Sequence, residues 1–183
     1  MTNIVDRGAS LNLYRSTSPT RRLSRAMHGT PRANMTAYSP TSNKPRGRVL
    51  AVKGDLFVDT SAWYPLVVGS LPEHVSISRG CRERIEAGSR VVTTNLVVAE
   101  SHALLLRRTG IRAVLAFVWL VRQPPNVIVE STAEMDDRAV TEWRTRFRDQ
   151  PFSMVDAVSF VVMTERGIAD ALPLDHRFAI AGF

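Results

Sequence analysis

The sequence predicts an α/β protein of three layers, in which helices cover both faces of a central parallel β-sheet. Two observations support this fold class. From residue 55 onward, apolar runs of strand length alternate with longer amphipathic stretches of helix length. Of the 183 residues, 44% are apolar and 22% are charged, which is sufficient for one domain with a sizeable core.

Residues 1–53 differ in composition and are predicted to be a disordered basic tail before a folded domain at 54–183. They contain ten basic residues and one acidic residue, whereas residues 54–183 contain 14 and 16. A segment rich in Ser, Thr, Pro, Gly and Arg buries too little apolar surface to offset its ordering entropy. We favour a tail without a specific role, or a misplaced start with Met27 or Met35 as the true one. A polybasic arm for nucleic acid and a transit peptide are the alternatives.

The folded part begins with three predicted strands and two helices. The strands are short apolar runs at residues 56–58, 91–93 and 127–129. The helices cover residues 95–108 and 111–121, and Pro124-Pro125 stops the second. Ser131 and Glu134 have capping-box spacing and predict the start of a third helix. Its buried face would carry residues that recur every four positions, namely Met135, Ala139, Trp143 and Phe147.

The last elements are a helix capped by Ser153 and a strand at residues 171–174. A single cysteine, Cys81, excludes an internal disulfide framework and fits a reducing compartment. The longest apolar run, Ala113 to Val121, has nine residues, about half of what spans a bilayer. Since no secretory signal precedes it, we expect a soluble cytoplasmic protein without membrane contact.

Four acidic residues fall where the carboxyl ends of the predicted strands lie, and ligands of open parallel sheets bind beyond this edge. Asp59 and Asp175 directly follow strands, and Asp156 lies in the first turn of the helix capped by Ser153. Glu100 lies roughly 9 Å along the helix that leaves the second strand. Taken singly, the three aspartates could equally be capping or turn residues.

Glu100 is harder to explain as a structural residue. Its helical neighbours at three and four positions are all apolar, and they are Leu96, Val97, Ala103 and Leu104. Glu100 is therefore predicted on a buried face, where an isolated carboxylate is costly to desolvate. No Lys or Arg stands at those spacings, so the structural alternative is a long-range ion pair.

Together, the four acids indicate a metal site. Two carboxylates 5 Å apart repel by about 3 kcal/mol at an effective permittivity of about 20, so a cluster needs protons or cations. Carboxylate oxygens suit Mg²⁺ or Mn²⁺, which also hold phosphate and lower the pKa of a bound water for hydrolysis. The four histidines are scattered and Cys81 stands alone, which disfavours zinc.

Four segments in order resemble the PIN-domain ribonucleases, and among them the VapC-type toxins of type II toxin–antitoxin pairs. The segments are LFVDTSA at 56–62, TTNLVVAE at 93–100, SMVDA at 153–157 and LDHRF at 174–178. The resemblance implies a PIN-like nuclease domain at 54–183 that hydrolyses RNA with Mg²⁺ or Mn²⁺. Its catalytic and metal-binding acids would be Asp59, Glu100, Asp156 and Asp175.

The resemblance also implies supporting residues and partners. Thr60 or Ser61 would support the metal or the phosphate through a hydroxyl group, and Ser153 would cap its helix beside the site. The partners would be an RNA substrate, a second copy in a homodimer, and a cognate antitoxin laid across the active-site groove. Other candidate RNA contacts are Arg144 and Arg148, although a solvated helix surface is favoured for both.

One residue departs from the family pattern. Two residues before the last aspartate the family usually carries Thr or Ser, whereas this chain has Pro173, which offers neither a hydroxyl nor an N–H. Pro173 favours one alternative, a catalytically silent PIN-fold module that binds RNA or protein. A housekeeping RNA-processing nuclease is the other. Arg107 and Arg108 are assigned to a helix end, and Trp63-Tyr64 to the core.

Overall fold

The strand that follows residue 55 lies inside a four-stranded sheet in which every pairing is parallel. The computed structural model describes residues 54–172 and 176–183. The strands are β1 (Leu56–Val58), β2 (Val91–Thr94), β3 (Asn126–Val129) and β4 (Asp170–Leu172), in the order β3-β2-β1-β4. The predicted tail, Pro173, and Asp175 lie outside the described residues.

The described residues form seven α-helices and one π-helix, most of which fall into two packing groups. The helices are α1 (Thr60–Val67), α2 (His74–Glu86), α3 (Asn95–Thr109), α4 (Ile111–Val121), α5 (Ala133–Arg138), a π-helix (Ala139–Arg144), α6 (Met154–Arg166) and α7 (Arg177–Ala181). Helices α1, α3 and α4 pack on one another, and α6 packs on α5, on the π-helix and on α7. None of the described helices is both long and apolar enough to cross a membrane.

Side-chain contacts place these groups on opposite faces of the sheet. Phe57 of β1 is paired in register with Val92 of β2, so the next residue, Thr93, points to the other face. The ring of Phe57 lies 5.9 Å from that of Phe178 in α7. On the other face, the indole Nε1–H of Trp63 in α1 donates to the Thr93 hydroxyl at 3.2 Å. The predicted three-layer arrangement with a central parallel sheet is thereby confirmed.

The predicted elements are found with small shifts at their ends. The helix predicted at 111–121 has those bounds, and the first strand is β1 as predicted. The last strand begins one residue earlier than predicted, at Asp170. Helices α1 and α2 were not predicted, because α1 contains Pro65 and α2 is strongly polar, with only Ile77 and Cys81 buried.

The predicted capping box at Ser131 is wrong. Thr132 caps α5 instead, and its hydroxyl accepts the Met135 N–H at 3.2 Å. The Ser131 hydroxyl donates to the Asp136 carboxylate at 2.5 Å, so it stabilises the same turn from outside the helix. Of the residues predicted on the buried face of this helix, Ala139 and Trp143 are buried, whereas Met135 and Phe147 are half-buried. Ala139 and Trp143 both lie in the π-helix.

Candidate active site

Asp59 sits where β1 ends and α1 begins, so one residue both follows the strand and caps the helix. Its backbone is extended, and its Oδ2 accepts the N–H of Ser61 at 3.1 Å. This is the usual N-cap arrangement, which satisfies one unpaired donor of the first turn. The residue is only 7% exposed, and it lines a cleft at the sheet edge where the strands end.

Glu100 reaches the same edge from the second turn of α3. That helix starts directly after β2, with the Thr94 hydroxyl accepting the Val97 N–H at 3.1 Å. The Thr60 hydroxyl donates to Glu100 Oε2 at 2.5 Å and accepts from the Ser101 hydroxyl at 3.2 Å. Thr60 and Ser101 are buried, so this chain of hydroxyl groups fixes the carboxylate relative to α1.

The prediction that Glu100 lies on a buried face is wrong. The buried stripe of α3 consists of Val97, Ser101 and Leu105, and Glu100 itself is exposed. The packing face is turned by one residue, or about 100° of helical rotation, because α1 and α4 pack against the Ser101 side. Leu104 is half-buried, and it shares the open cleft with Glu100.

Asp156 enters from the first turn of α6, where it forms a capping box with Ser153. The Ser153 N–H donates to Asp156 Oδ2 at 2.7 Å, and the Asp156 N–H donates to the Ser153 hydroxyl at 3.1 Å. Arg177 Nη1 donates to the same Oδ2 at 3.1 Å. Asp156 is 5% exposed, and its carboxylate is held by the Ser153 N–H and by Arg177 in a nearly dry setting.

These acids line one open cleft of about 700 Å³. It lies beyond the carboxyl ends of β1 and β2, beside the point where the chain returns across β1 to form β4. Its acids and hydroxyl groups are Asp59, Glu100, Asp156, Thr60 and Ser61. Its cations are Arg107, Arg108 and Arg177. The structure thus brings three of the four predicted acids together, and Asp175 lies outside the described residues.

The charge on Asp59 is poorly compensated. Burial raises the pKa of its carboxyl above the usual value, although the N–H groups of Ser61 and Thr60 oppose this. The neighbouring carboxylates of Asp156 and Glu100 raise the pKa of Asp59 further. Because the Asp59 carboxylate is desolvated and faces two other carboxylates, a bound cation would stabilise its ionised form.

The donor set fits a hard divalent cation in chemistry. All of its ligand atoms are carboxylate or hydroxyl oxygens, which Mg²⁺ and Mn²⁺ prefer. Within residues 54–172 and 176–183, no three acidic, His or Cys side chains are close enough to form a ready-made metal cluster. Two of the carboxylates already have side-chain partners, since Arg177 pairs with Asp156 and Thr60 donates to Glu100. A cation would therefore compete with these contacts.

Several residues in the cleft or behind it were not predicted as part of a site. Ser101 is buried and donates to the Thr60 hydroxyl from behind the cleft, but a serine beside an acid gives no signal by itself. Arg107 and Arg108 were assigned to the helix end, and only the packing of α3 shows that they line the cleft. Arg144, a candidate RNA contact, instead donates to the Phe152 carbonyl. Trp63 is 1% exposed, in agreement with its assignment to the core.

A parallel sheet with acidic side chains gathered at its carboxyl edge is typical of a metal-assisted hydrolase of the α/β class. The family model of the PIN domain matches residues 56–183, and the chain belongs to this family. The family predicted from the four segments is thereby confirmed.

The similar proteins include VapC toxins. The chain is 38% identical over 131 residues to the 23S rRNA-specific endonuclease VapC20 of Mycobacterium tuberculosis strains CDC 1551 and H37Rv. This match covers 70% of the chain and 95% of that protein. The crystal structure of M. tuberculosis VapC20, a sarcin–ricin loop cleaving toxin, superimposes with a TM-score of 0.61 at 34% sequence identity. It covers 70% of this chain and 96% of the VapC20 chain.

Proposed function

We propose that this protein is a divalent-metal-dependent endoribonuclease and the toxin of a VapC-type toxin–antitoxin pair. The observation that carries the proposal is the convergence of Asp59, Glu100 and Asp156 on one cleft, two of them buried. The similarity to an rRNA endonuclease over nearly its full length supports the same reaction class. RNA phosphodiester bonds would be hydrolysed at this cleft, with Asp175 as the fourth acid.

Each side chain of the cleft has a distinct role in this proposal. The N–H of Ser61 orients Asp59, the Thr60 hydroxyl orients Glu100, and Ser153 holds Asp156. When bound by the four acids, Mg²⁺ or Mn²⁺ would polarise the phosphate and lower the pKa of a water molecule. Arg177 keeps the buried charge of Asp156 paired and lies beside the cleft, where it can also face a phosphate.

The substrate follows from the relative. VapC20 is named for cleavage of 23S rRNA at the sarcin–ricin loop. We propose a structured RNA of this kind as the substrate, and the cytoplasm, where ribosomes are found, as the place of action. The sarcin–ricin stem–loop is accordingly the first RNA to test.

Cleavage assays test the reaction directly. Purified protein should cut 23S rRNA with Mg²⁺ or Mn²⁺, and EDTA should abolish the cut. Glu100→Gln and Asp156→Asn should lose about a hundredfold or more in rate while remaining folded. Glu130→Gln is the matched control, because Glu130 directly follows β3 and is exposed but does not line the cleft. Folded Asp156→Asn protein that cuts at the wild-type rate would overturn the proposal.

A second candidate is a PIN-fold module that binds RNA or protein without cutting. The Arg177–Asp156 ion pair favours it, because an arginine occupies an oxygen that a metal ligand would use. Calorimetric titration with Mn²⁺ separates the two candidates. Binding that is lost in Asp59→Asn supports the nuclease, and the absence of binding supports the silent module.

We also propose that the protein forms a homodimer and is neutralised by a cognate antitoxin. Ile111, Leu115 and Trp119 recur every four residues along α4 and are exposed, which gives the chain an apolar stripe of the kind that contacts proteins. We assign the stripe to the second copy. Light scattering should give twice the chain mass for the wild type and the single mass for Leu115→Glu, and a monomeric wild type would contradict the assignment.

A further inference from the structure

Two arginines line the cleft without taking part in the acidic site. Arg107 stands seven residues after Glu100 on α3, about 20° from it around the helix axis, and Arg108 stands eight residues after it, about 80° from it. Both line the cleft. Their Cα atoms are roughly 10 to 12 Å beyond that of Glu100 along the helix axis. Ala103 and Leu104 cover the intervening floor of the cleft. The cleft therefore has an acidic end and a basic end.

Both guanidinium groups are available to a ligand. Both residues are exposed, and neither forms an ion pair in the described part of the chain. The guanidinium carbon of Arg108 lies 5.7 Å from the centre of the Tyr64 ring, in the range of a cation–π contact. This contact orients Arg108 without neutralising its charge.

A helix-end role alone does not account for this pair. Basic residues in the last turn of a helix do complement its dipole, by about 0.3–1 kcal/mol each. That role, however, does not require both side chains to border the same cleft as the carboxylates. An unpaired arginine at such a position is well suited to a phosphate, which it can bind through two parallel N–H donors.

We propose that Arg107 and Arg108 form a subsite for the phosphates that flank the cleaved bond in the RNA strand. The inference rests on the proposed function, because it assumes that RNA enters this cleft. The acidic end would hold the reacting phosphate, and the arginines would bind the backbone farther along the strand. Phosphate contacts of this kind fix the position of a strand and carry no sequence information directly. Arg107 and Arg108 are thus positioning residues.

Binding in the absence of cleavage tests this subsite. The probe is a fluorescent sarcin–ricin stem–loop RNA in EDTA, titrated with full-length protein at several salt concentrations. Arg107→Gln and Arg108→Gln should each weaken binding about five- to tenfold, and each should lower the salt slope by about 0.7, the value for one phosphate on a single strand. Arg107→Lys should restore most of the slope but less of the affinity, because it keeps the charge and loses the paired donors.

Arg122→Gln is the matched control, since Arg122 is exposed and lies outside the cleft. If Arg122→Gln weakens binding as much as Arg107→Gln does, the effect is one of total charge and the subsite is overturned. Unchanged binding by both cleft variants also overturns it. In that case, a wild type that still cuts and an Asp156→Asn variant that does not would leave the proposed function intact. If Asp156→Asn still cuts, the proposed function itself fails.

Discussion

Asp59 both caps a helix and lines the cleft. Its carboxylate caps α1 through the Ser61 N–H, and it is one of three acids that face the cleft. Capping favours the ionised form, whereas burial and the neighbouring acids disfavour it, and the raised pKa indicates that the second effect is larger. The ionised Asp59 carboxylate therefore lowers the free energy of unfolding when no cation is bound.

Asp59→Asn separates these two functions. The amide oxygen can still accept the Ser61 N–H, because Asn is as good an N-cap as Asp, and the buried charge disappears. We expect the free energy of unfolding to stay the same or rise, while the cleavage rate falls about a hundredfold or more. Urea unfolding and an rRNA cleavage assay measure the two quantities. A clear loss of stability would show that the carboxylate is a structural residue.

Cys81 gives a prediction about pH. The residue is 2% exposed on α2, and burial raises the pKa of its thiol to about 11 from 9.0. The folded state thus keeps the proton more tightly than the unfolded state does. This contribution to stability is fully present below pH 9, and it is lost as the pH rises toward 11.

Two measurements check the Cys81 prediction. The thiol should react with Ellman's reagent at pH 8 only after unfolding in urea. Between pH 8 and pH 10.5, the wild type should lose more unfolding free energy than Cys81→Ala does. Equal losses in the two proteins would contradict the prediction, as would rapid labelling of the folded wild type.

At the scale of elements, each of the three described acids of the cleft is set by a junction at the carboxyl edge of the sheet. β1 passes into α1 at Asp59, and β2 passes into α3 at Thr94, with no intervening loop. α6 begins at the Ser153 cap and carries Asp156 in its first turn. Because caps fix where a helix starts, they also fix the direction from which each carboxylate enters the cleft.

Replacing two comparable caps tests this relation. Ser153→Ala and Thr132→Ala each remove a hydroxyl that accepts a first-turn N–H, so each should cost about 1 kcal/mol of unfolding free energy. Only Ser153→Ala should also slow cleavage, by about tenfold, because the lost hydroxyl accepts the Asp156 N–H and so fixes the helical turn that carries this carboxylate. Thermal unfolding and RNA cleavage are the measurements. An equal loss of activity in both variants would indicate a general effect of stability.

At the scale of the whole molecule, the site depends on strand order. The chain builds β1, β2 and β3 outward to one side and then returns to place β4 on the other side of β1. This reversal opens a crevice next to β1, at the edge where Asp59 ends its strand. α6 precedes β4, and its first turn brings Asp156 to the same crevice.

The domain boundary predicted at residue 54 leads to an experiment on the whole chain. A truncated chain of residues 54–183 should fold and cleave RNA at about the full rate, within roughly twofold, since it contains the whole matched family region. If the truncation instead weakens RNA binding, and most strongly at low salt, the polybasic-arm interpretation of residues 1–53 replaces the favoured one.

The sequence determined the fold class and the candidate acids of this protein. Strands and helices could be predicted because their apolar spacing is local, as in the helix at 111–121. The caps at Ser153 and the acids after strands are likewise short-range patterns. Helix α1 escaped prediction because Pro65 interrupts its pattern, although six of its eight residues are buried.

Tertiary structure alone decided which face of α3 is buried and which residues share the cleft. The apolar neighbours of Glu100 do not determine the rotation of the helix. Leu96, Val97, Ala103 and Leu104 span about 120° around the helix axis, so more than one rotation would bury some of them. Contacts with α1 and α4 select the Val97–Ser101–Leu105 stripe, and the same rotation turns Glu100 and Arg107 toward the cleft. Such a choice depends on residues 30 or more positions away, as in the Thr60–Glu100 hydrogen bond, and no local pattern contains it.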